Sequence, residues 1–240
     1  MIALLDIGNT RTKFCVAHHG KRNRTNRVLN EQLNNDFLEI NFSDVTKIVI
    51  ASVSTTNISS AIELWCIEKN IAYQRVRSEK TKKNITNAYQ EFEKLGVDRW
   101  LTLIATAELY PERNVLIIDA GTATTVDLLA SNGQHQGGWI LAGVDMLVNS
   151  LVDNTAQLKV KNEEKISLAF GQNTSENIHN GAWVATVAAV NMAIAQSERN
   201  GFMLDKIILT GGNAKILAPL LAVENIVIED LIFAGLQTYI

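Results

Sequence analysis

The residues best suited to chemistry lie near the start of the chain. Asp6 ends a short apolar run, Gly8 follows it, and Lys13 comes shortly afterwards. A glycine allows a tight turn that a ligand can approach closely, and Asn9 and Thr10 are turn formers that can donate to an anion. Mg²⁺ prefers one or two carboxylates together with waters and phosphate oxygens. The stretch therefore favours binding of a nucleotide phosphate with its Mg²⁺, although a plain hairpin capped by Asp6 and Asn9 would use the same residues.

The same pattern occurs a second time in the middle of the chain. Asp119 and Gly121, again behind an apolar pair, repeat the spacing of Asp6 and Gly8. Thr125 continues the match, because it stands at the position that Thr12 has in the first copy. Two similar strand–turn–strand units predict a duplicated α/β architecture with a ligand between the halves.

Composition narrows the class of protein. The chain has 240 residues, is 47% hydrophobic and 20% charged, and carries a net charge of −3. These values indicate a globular protein and argue against a nucleic-acid-binding surface. We expect no membrane-spanning helix and no cleaved leader, and hence a cytoplasmic protein. Cys15 and Cys66 have no metal-binding spacing and are interpreted as reduced core residues, and the four histidines as surface or structural residues.

Hydrophobic periodicity predicts the elements that would position the two turns. Besides the two hairpins, strands are predicted at residues 47–53, 72–76, 134–141, 205–209 and 225–228. One helix is predicted at residues 58–69, capped by Asn57, and another from at or near Asp98 to Leu109. Further helices are predicted at residues 144–158, 175–198 and 231–239, and a short one ends near Leu221. Residues 33–40 fit either a short helix or an irregular strand, and residues 84–93 and 159–168 are predicted as loops.

Two further features could serve a ligand. Asp98 at a helix start can simply cap that helix, or it can act as a base beside Arg99, which can bind an anionic group. Gly211 and Gly212 follow a strand and open a helix, which leaves N–H groups free for a nucleotide, although an ordinary strand-to-helix turn also needs glycine.

These motifs together resemble the type III pantothenate kinases, of the superfamily of acetate and sugar kinases, chaperone ATPases and actin. The resemblance covers nearly the whole chain, and its matching stretches are residues 6–13, 87–89, 95–100 and 119–123, with the late glycines and Thr174. It implies an α/β fold of two duplicated ribonuclease H-like (actin-like ATPase) half-domains with mixed central sheets and flanking helices. The halves would span residues 1–112 and 113–240, the second with the helices of a homodimer.

The resemblance also implies roles for single residues. Asp98 would be the general base on the primary hydroxyl of pantothenate, Asp6 would lie by the Mg²⁺, and Asp119 would bind K⁺ or NH₄⁺. The residues implied for ATP are Asp6, Ile7, Gly8, Asn9, Thr10, Arg11, Thr12, Lys13 and Thr122. Those implied for pantothenate are Tyr89, Gly96, Val97, Asp98, Arg99 and, from the partner subunit or its edge, Thr174.

The function implied is ATP-dependent phosphorylation of pantothenate to 4'-phosphopantothenate, the first step of coenzyme A synthesis, by direct in-line transfer. A kinase-like regulatory protein is one alternative, against which the retained Asp6, Lys13, Asp98, Arg99 and Asp119 argue. A superfamily kinase for another small hydroxylated substrate is a second, against which the LGVDRW stretch argues. Three residues depart from the family pattern: Phe92 and Ala142, where proline is usual, and Asn213, where aspartate is common.

Overall fold

The computed structural model describes residues 1–54, 57–153 and 166–240. They form two compact units of the chain. The first unit comprises Met1–Leu109 together with Asp230–Ile240, and the second comprises Tyr110–Glu229.

Strands and helices follow the hydrophobic pattern closely. The strands are β1 (Ile2–Ile7), β2 (Arg11–His18), β3 (Lys21–Arg22), β4 (Asn26–Leu29), β5 (Lys47–Ser52), β6 (Ala72–Arg75), β7 (Thr81–Lys82), β8 (Ile85–Thr86), β9 (Val115–Ala120), β10 (Ala123–Leu129), β11 (His135–Ala142), β12 (Lys206–Thr210) and β13 (Ile226–Val227). The helices are α1 (Asn35–Phe42), α2 (Ile58–Glu68), α3 (Val97–Leu109), α4 (Val144–Asp153), α5 (Thr174–Arg199), α6 (Ala214–Leu217) and α7 (Leu231–Gln237).

The two units share one sheet topology. In the first unit the strand order is β3-β2-β1-β5-β6, with β4 also pairing with β2, and in the second it is β11-β10-β9-β12-β13. In the first unit β1 pairs antiparallel with β2 and parallel with β5, which pairs parallel with β6. In the second unit β9 pairs antiparallel with β10 and parallel with β12, which pairs parallel with β13. The predicted duplication is therefore confirmed at the level of topology.

Helices cover both faces of the first sheet. On one face Phe42 of α1 and Trp65 of α2 pack with the apolar residues of β1 and β5. On the other face Leu101 of α3 and Phe233 of α7 pack with Leu4. A strand covered on both faces needs apolar side chains on both, which explains the continuous apolar runs of β1 and β5.

The structure departs from the predicted elements at a few points. Residues 33–40, which fitted two alternatives, lead into α1, and Asn34 caps this helix by accepting a hydrogen bond from the Phe37 N–H. Asn57 makes no side-chain cap for α2, because its backbone is not extended as an N-cap requires. The predicted loop 84–93 contains β8 and the start of a short 3₁₀ helix, Phe92–Lys94. Residues 154–165, the end of one predicted helix and most of a predicted loop, lie outside the described residues.

The C-terminal helix differs from the predicted division of the chain. The predicted halves are residues 1–112 and 113–240, whereas α7 lies in the first unit with α3. Their contact is close: a Cβ at Gly235 would collide with the backbone of Leu101. A single boundary in the sequence cannot predict that the last helix packs in the first unit.

Helix α5 is the long apolar helix of the second unit. Within the described ranges it is long and apolar enough to cross a membrane by length and composition. Its Trp183, Val187 and Val190 lie in the core of the second unit, so packing against the sheet accounts for this composition. The opposite side of α5 carries exposed apolar residues, among them Val184 and Met192.

Candidate active site

The first candidate element is the turn between β1 and β2. Asp6 and Lys13 are paired in register across the two strands, so their side chains lie on the same face of the sheet. The N–H of Gly8 closes the turn by donating to the Arg11 carbonyl at 3.1 Å. Asn9 and Thr10 are exposed at its tip. A carboxylate, an ammonium group and an open turn are thus brought together as the sequence predicted.

Ile7 and Val97, two of the predicted ligand-binding residues, have buried side chains. Ile7 is fully buried in the core with α1 and α2, and Val97 packs in the core with α7. Only their backbone groups can therefore reach a ligand.

The first turn is held in place by Asn30, a residue that no sequence motif indicated. The side-chain amide of Asn30 donates to the carbonyls of Gly8 at 2.8 Å and Asn9 at 3.1 Å. Its backbone N–H donates to the Thr10 carbonyl at 3.0 Å. The hydroxyl of buried Thr12 donates to Asn30 Oδ1 at 2.8 Å. Asn30 belongs to no motif, and its partners lie about twenty residues away, so the sequence carries no signal for it.

The second candidate element is the start of α3. Asp98 lies in the first turn of this helix, and its Oδ1 accepts a hydrogen bond from the Arg99 N–H at 2.8 Å. A Cβ at Gly96 would come within 2.5 Å of the same oxygen. Glycine at position 96 therefore leaves room for the carboxylate, which is held at the helix N-terminus and stays partly exposed. The capping interpretation and the functional one are compatible here.

Tyr89 is brought to the same place by a buried arginine. Arg99 is 4% exposed, and its Nη1 donates to the Tyr89 hydroxyl at 2.8 Å. The Tyr89 N–H donates to Asn87 Oδ1 at 3.0 Å, and the Asn87 amide in turn donates to the Glu79 and Phe92 carbonyls. Phe92, which replaces the usual proline, takes part through its backbone. The predicted substrate residues of this unit are thus one connected group.

The third candidate element is the turn between β9 and β10 in the second unit. Gly121 closes it by donating to the Ala123 carbonyl at 3.1 Å. This turn is one residue shorter than the first, because Thr125 pairs with Asp119 where Lys13 pairs with Asp6. The two copies therefore correspond as far as the glycine, and the predicted equivalence of Thr125 with Thr12 is wrong in the structure.

Asp119 lies against the glycine turn that follows β12. Gly211 has a φ of +91°, and a Cβ there would collide with Asp119 Oδ1 and lie 2.7 Å from the Ala120 carbonyl group. The Asn213 N–H donates to the Ala120 carbonyl at 2.9 Å. The Asp119 carboxylate therefore packs against both glycine turns, and its oxygens are of the kind that a hard cation prefers.

Thr122 and Thr174, both predicted ligand residues, are exposed. The carbonyl of Thr122 accepts from the Gly143 N–H at 3.1 Å, and a Cβ at Gly143 would collide with it. Thr174 is the first residue of α5, whose N-cap Asn173 accepts from the Glu176 N–H. These hydrogen bonds fix the backbone at or next to each of the two exposed side chains.

Other polar and nucleophilic groups are accounted for by packing. Buried His135 and Asp127 are joined at 2.8 Å between β10 and β11. Cys15 and Cys66 are free and buried, and burial raises the pKa of each thiol to about 11. Across the described ranges, no three His, Cys, Asp or Glu residues gather as a metal cluster.

The duplicated sheet places the chain in a known class. Its fold matches a structure from Campylobacter jejuni assigned to the Baf family of transcriptional activators, with a TM-score of 0.64 and 23% identity over 98% of this chain and 96% of that one. It also matches a structure from Sinorhizobium meliloti assigned as a 2-dehydro-3-deoxygalactonokinase, with a TM-score of 0.61 and 11% identity over 99% and 95% of the two chains. These two likenesses show the fold, which is the actin-like arrangement of two ribonuclease H-like units.

Sequence comparison narrows the class to a family. The family model for type III pantothenate kinases matches residues 2–196. A type III pantothenate kinase of Colwellia psychrerythraea is 45% identical over the full length of both chains, and one of Pseudoalteromonas translucida is 36% identical over 90% of this chain and 87% of that one. The chain belongs to the type III pantothenate kinase family and is a kinase that uses ATP as phosphate donor.

Proposed function

We propose that this protein transfers the γ-phosphoryl group of ATP to the primary hydroxyl of pantothenate, which yields 4'-phosphopantothenate and ADP and begins coenzyme A synthesis. The observation that carries the proposal is the connected group of Tyr89, Gly96, Asp98 and Arg99 in a member of this family. No plausible Ser-His-Asp or Cys-His set competes with it among the described residues.

Asp98 is the proposed general base. Its carboxylate accepts the proton of the substrate hydroxyl while the hydroxyl oxygen attacks the γ-phosphorus and the bond from that phosphorus to the ADP oxygen breaks. Phosphoryl transfer asks a protein mainly for positioning and charge neutralisation. The Arg99 N–H that holds Asp98 Oδ1 supports this role, because it fixes the direction in which the carboxylate points. Tyr89 and Arg99 would orient pantothenate, together with Thr174 from the partner subunit or its edge.

ATP would be bound by residues 6–13 and Thr122. The register pair of Asp6 and Lys13 supports this assignment, because it places a carboxylate and a positive charge beside the open turn. Asp6 would hold Mg²⁺ together with phosphate oxygens, and this ion would neutralise phosphate charge. Asp119 would hold K⁺ or NH₄⁺, and the glycine turns packed on its carboxylate fit such an ion.

A homodimer is proposed from the exposed face of α5. Its exposed apolar residues recur at helical spacing at Val184, Ala185, Ala188 and Met192. Met146 and Leu151 of α4 are also about half exposed. An exposed apolar stripe along a helix, as opposed to single scattered residues, is typical of an interaction surface. Met192→Glu should therefore convert a dimer to a monomer in light scattering, whereas Glu198→Gln, near the end of the same helix, should not. We propose a cytoplasmic location for the enzyme.

The experiment that tests the function measures ADP release by the purified protein with Mg-ATP. Pantothenate is added or omitted, in K⁺ buffer and then in Na⁺ buffer. Release that depends on pantothenate and on K⁺ or NH₄⁺ would support the kinase, the Asp98 site and the Asp119 site together. A folded protein without pantothenate dependence in either buffer would contradict the proposal and favour a kinase-like regulatory protein that acts through partners.

A further inference from the structure

We propose that Asn30 is a positioning residue that prepares the β1–β2 turn for the phosphates of a nucleotide. The inference rests on the proposed function, because it assigns a role to a residue outside the predicted ATP set. Asn30 begins the 3₁₀ helix Asn30–Gln32, directly after β4.

Asn30 binds every carbonyl oxygen at the tip of the turn. The Gly8 and Asn9 carbonyls accept from its side-chain amide, and the Thr10 carbonyl accepts from its backbone N–H. The remaining polar atom of its side chain, Oδ1, accepts from the Thr12 hydroxyl, which is fully buried. One asparagine thus satisfies three consecutive peptide carbonyls and one buried hydroxyl.

The orientation of these carbonyls decides where the amides point. In a trans peptide the C=O and the following N–H point in opposite directions. Carbonyls turned toward Asn30 therefore turn the N–H groups of Asn9, Thr10 and Arg11 away from it. Among the described residues, no backbone carbonyl accepts a hydrogen bond from the Asn9 or Thr10 N–H. Successive free N–H groups of this kind form an anion-binding concavity.

Strand pairing alone does not orient these carbonyls. The β2–β4 ladder runs from Arg11 paired with Leu29 to Phe14 paired with Asn26, and its hydrogen bonds are made by backbone atoms. The turn at residues 8–10 lies beyond the ladder. Without the Asn30 side chain, the Gly8 and Asn9 peptides lose their only protein donors in the described structure and can rotate. A carbonyl oxygen that rotates toward the ligand would repel a phosphate.

The test compares Asn30→Ala with Asn23→Ala. Asn23 is a matched control, because its Oδ1 accepts from the Val16 N–H at 2.8 Å near the other end of β2. Calorimetry of Mg-ADP binding and steady-state kinetics are measured for the full chain. We expect Asn30→Ala to weaken Mg-ADP binding and raise KM for ATP by about tenfold or more, because two donors are lost. KM for pantothenate should change less than twofold, and Asn23→Ala should match the original protein.

A second variant tests the inference if Asn30→Ala does not fold. Asn30→Asp keeps the shape and the acceptor for Thr12 but removes both side-chain donors, and Asn23→Asp controls for the added charge. Equal Mg-ADP affinity in the folded Asn30 variants and their Asn23 controls would overturn the inference and leave the proposed function intact. If the unaltered protein binds no Mg-ADP, the nucleotide site of the proposed function fails, and the inference fails with it.

Discussion

The guanidinium of Arg99 and the hydroxyl of Tyr89 are joined by a hydrogen bond of 2.8 Å. Arg99 is almost completely buried, and its carbon Cζ lies 5.7 Å from the centre of the Tyr89 ring. A buried charge is costly unless it is well paired. The hydrogen bond between Arg99 and Tyr89 therefore holds Tyr89, which lies in an irregular segment, against the helix that carries Asp98.

Removing the Tyr89 hydroxyl should weaken pantothenate binding. A buried donor that loses its acceptor costs about 1–3 kcal/mol, so Tyr89→Phe should raise KM for pantothenate by about tenfold. Affinity for Mg-ADP should stay within twofold, because the nucleotide residues are elsewhere. Tyr110→Phe, just beyond the other end of α3, is the control. An unchanged KM for pantothenate in Tyr89→Phe would show that the pair is only structural.

Asp98→Asn should abolish turnover and leave nucleotide binding intact. The amide keeps the shape of the side chain but cannot accept the proton, so kcat should fall at least about a hundredfold. The matched control is Asp145→Asn, because Asp145 is the second residue of α4 and also follows Gly-Val. Kinetics and Mg-ADP calorimetry distinguish the outcomes. Loss of Mg-ADP binding in Asp98→Asn would make this carboxylate a structural residue.

Gly211→Ala should disturb the Asp119 carboxylate. The positive φ and the blocked Cβ position predict a loss of about 1–3 kcal/mol in the free energy of unfolding and a higher K⁺ concentration for half-maximal activity. The comparison variant for stability is Gly212→Ala, because nothing lies within 4 Å of a Cβ there. Its free energy of unfolding should differ by no more than about 1 kcal/mol. Urea unfolding and K⁺ titration of activity check the prediction, and equal stability of the two variants would contradict it.

The C-terminal Tyr239 should contribute a pH-dependent part of stability. Its hydroxyl donates to Glu79 Oε1 at 2.5 Å and accepts from Trp100 Nε1 at 3.3 Å. Burial, and then the bond to Glu79, raise the pKa of Tyr239 above its ordinary value. A raised pKa gives stability that is complete below the unfolded value of about 10 and is lost as pH rises above it.

Tyr239→Phe should therefore lower the free energy of unfolding at pH 7 by about 1–2 kcal/mol. It should also make the decline in stability above pH 10 shallower. Denaturant unfolding between pH 7 and 11 measures both effects. Tyr73→Phe is a useful comparison, since burial raises the pKa of Tyr73 to about 12 at a site outside the Tyr239 contacts. An alkaline decline as steep in Tyr239→Phe as in the original protein would contradict the assignment.

Local features of the fold were predictable from the sequence. The β1–β2 hairpin, the strand β5 and the helix α3 each depend on patterns within about a dozen residues. Register pairing of Asp6 with Lys13 follows from such a short hairpin. Asp98 was predicted at or near a helix start for the same reason, and the structure places it in the first turn of α3.

The sequence by itself thus determined the strand–turn–strand repeat, the helix starts and the family. Tertiary structure decided the rest: Asn30 on the first turn, Arg99 on Tyr89, Gly211 against Asp119, and α7 beside α3. Each of these contacts joins segments that are distant in sequence or lack a periodic pattern. Periodicity and turn propensity describe neighbours along the chain, whereas hydrogen bonds and close packing depend on which backbones meet once the sheet has formed.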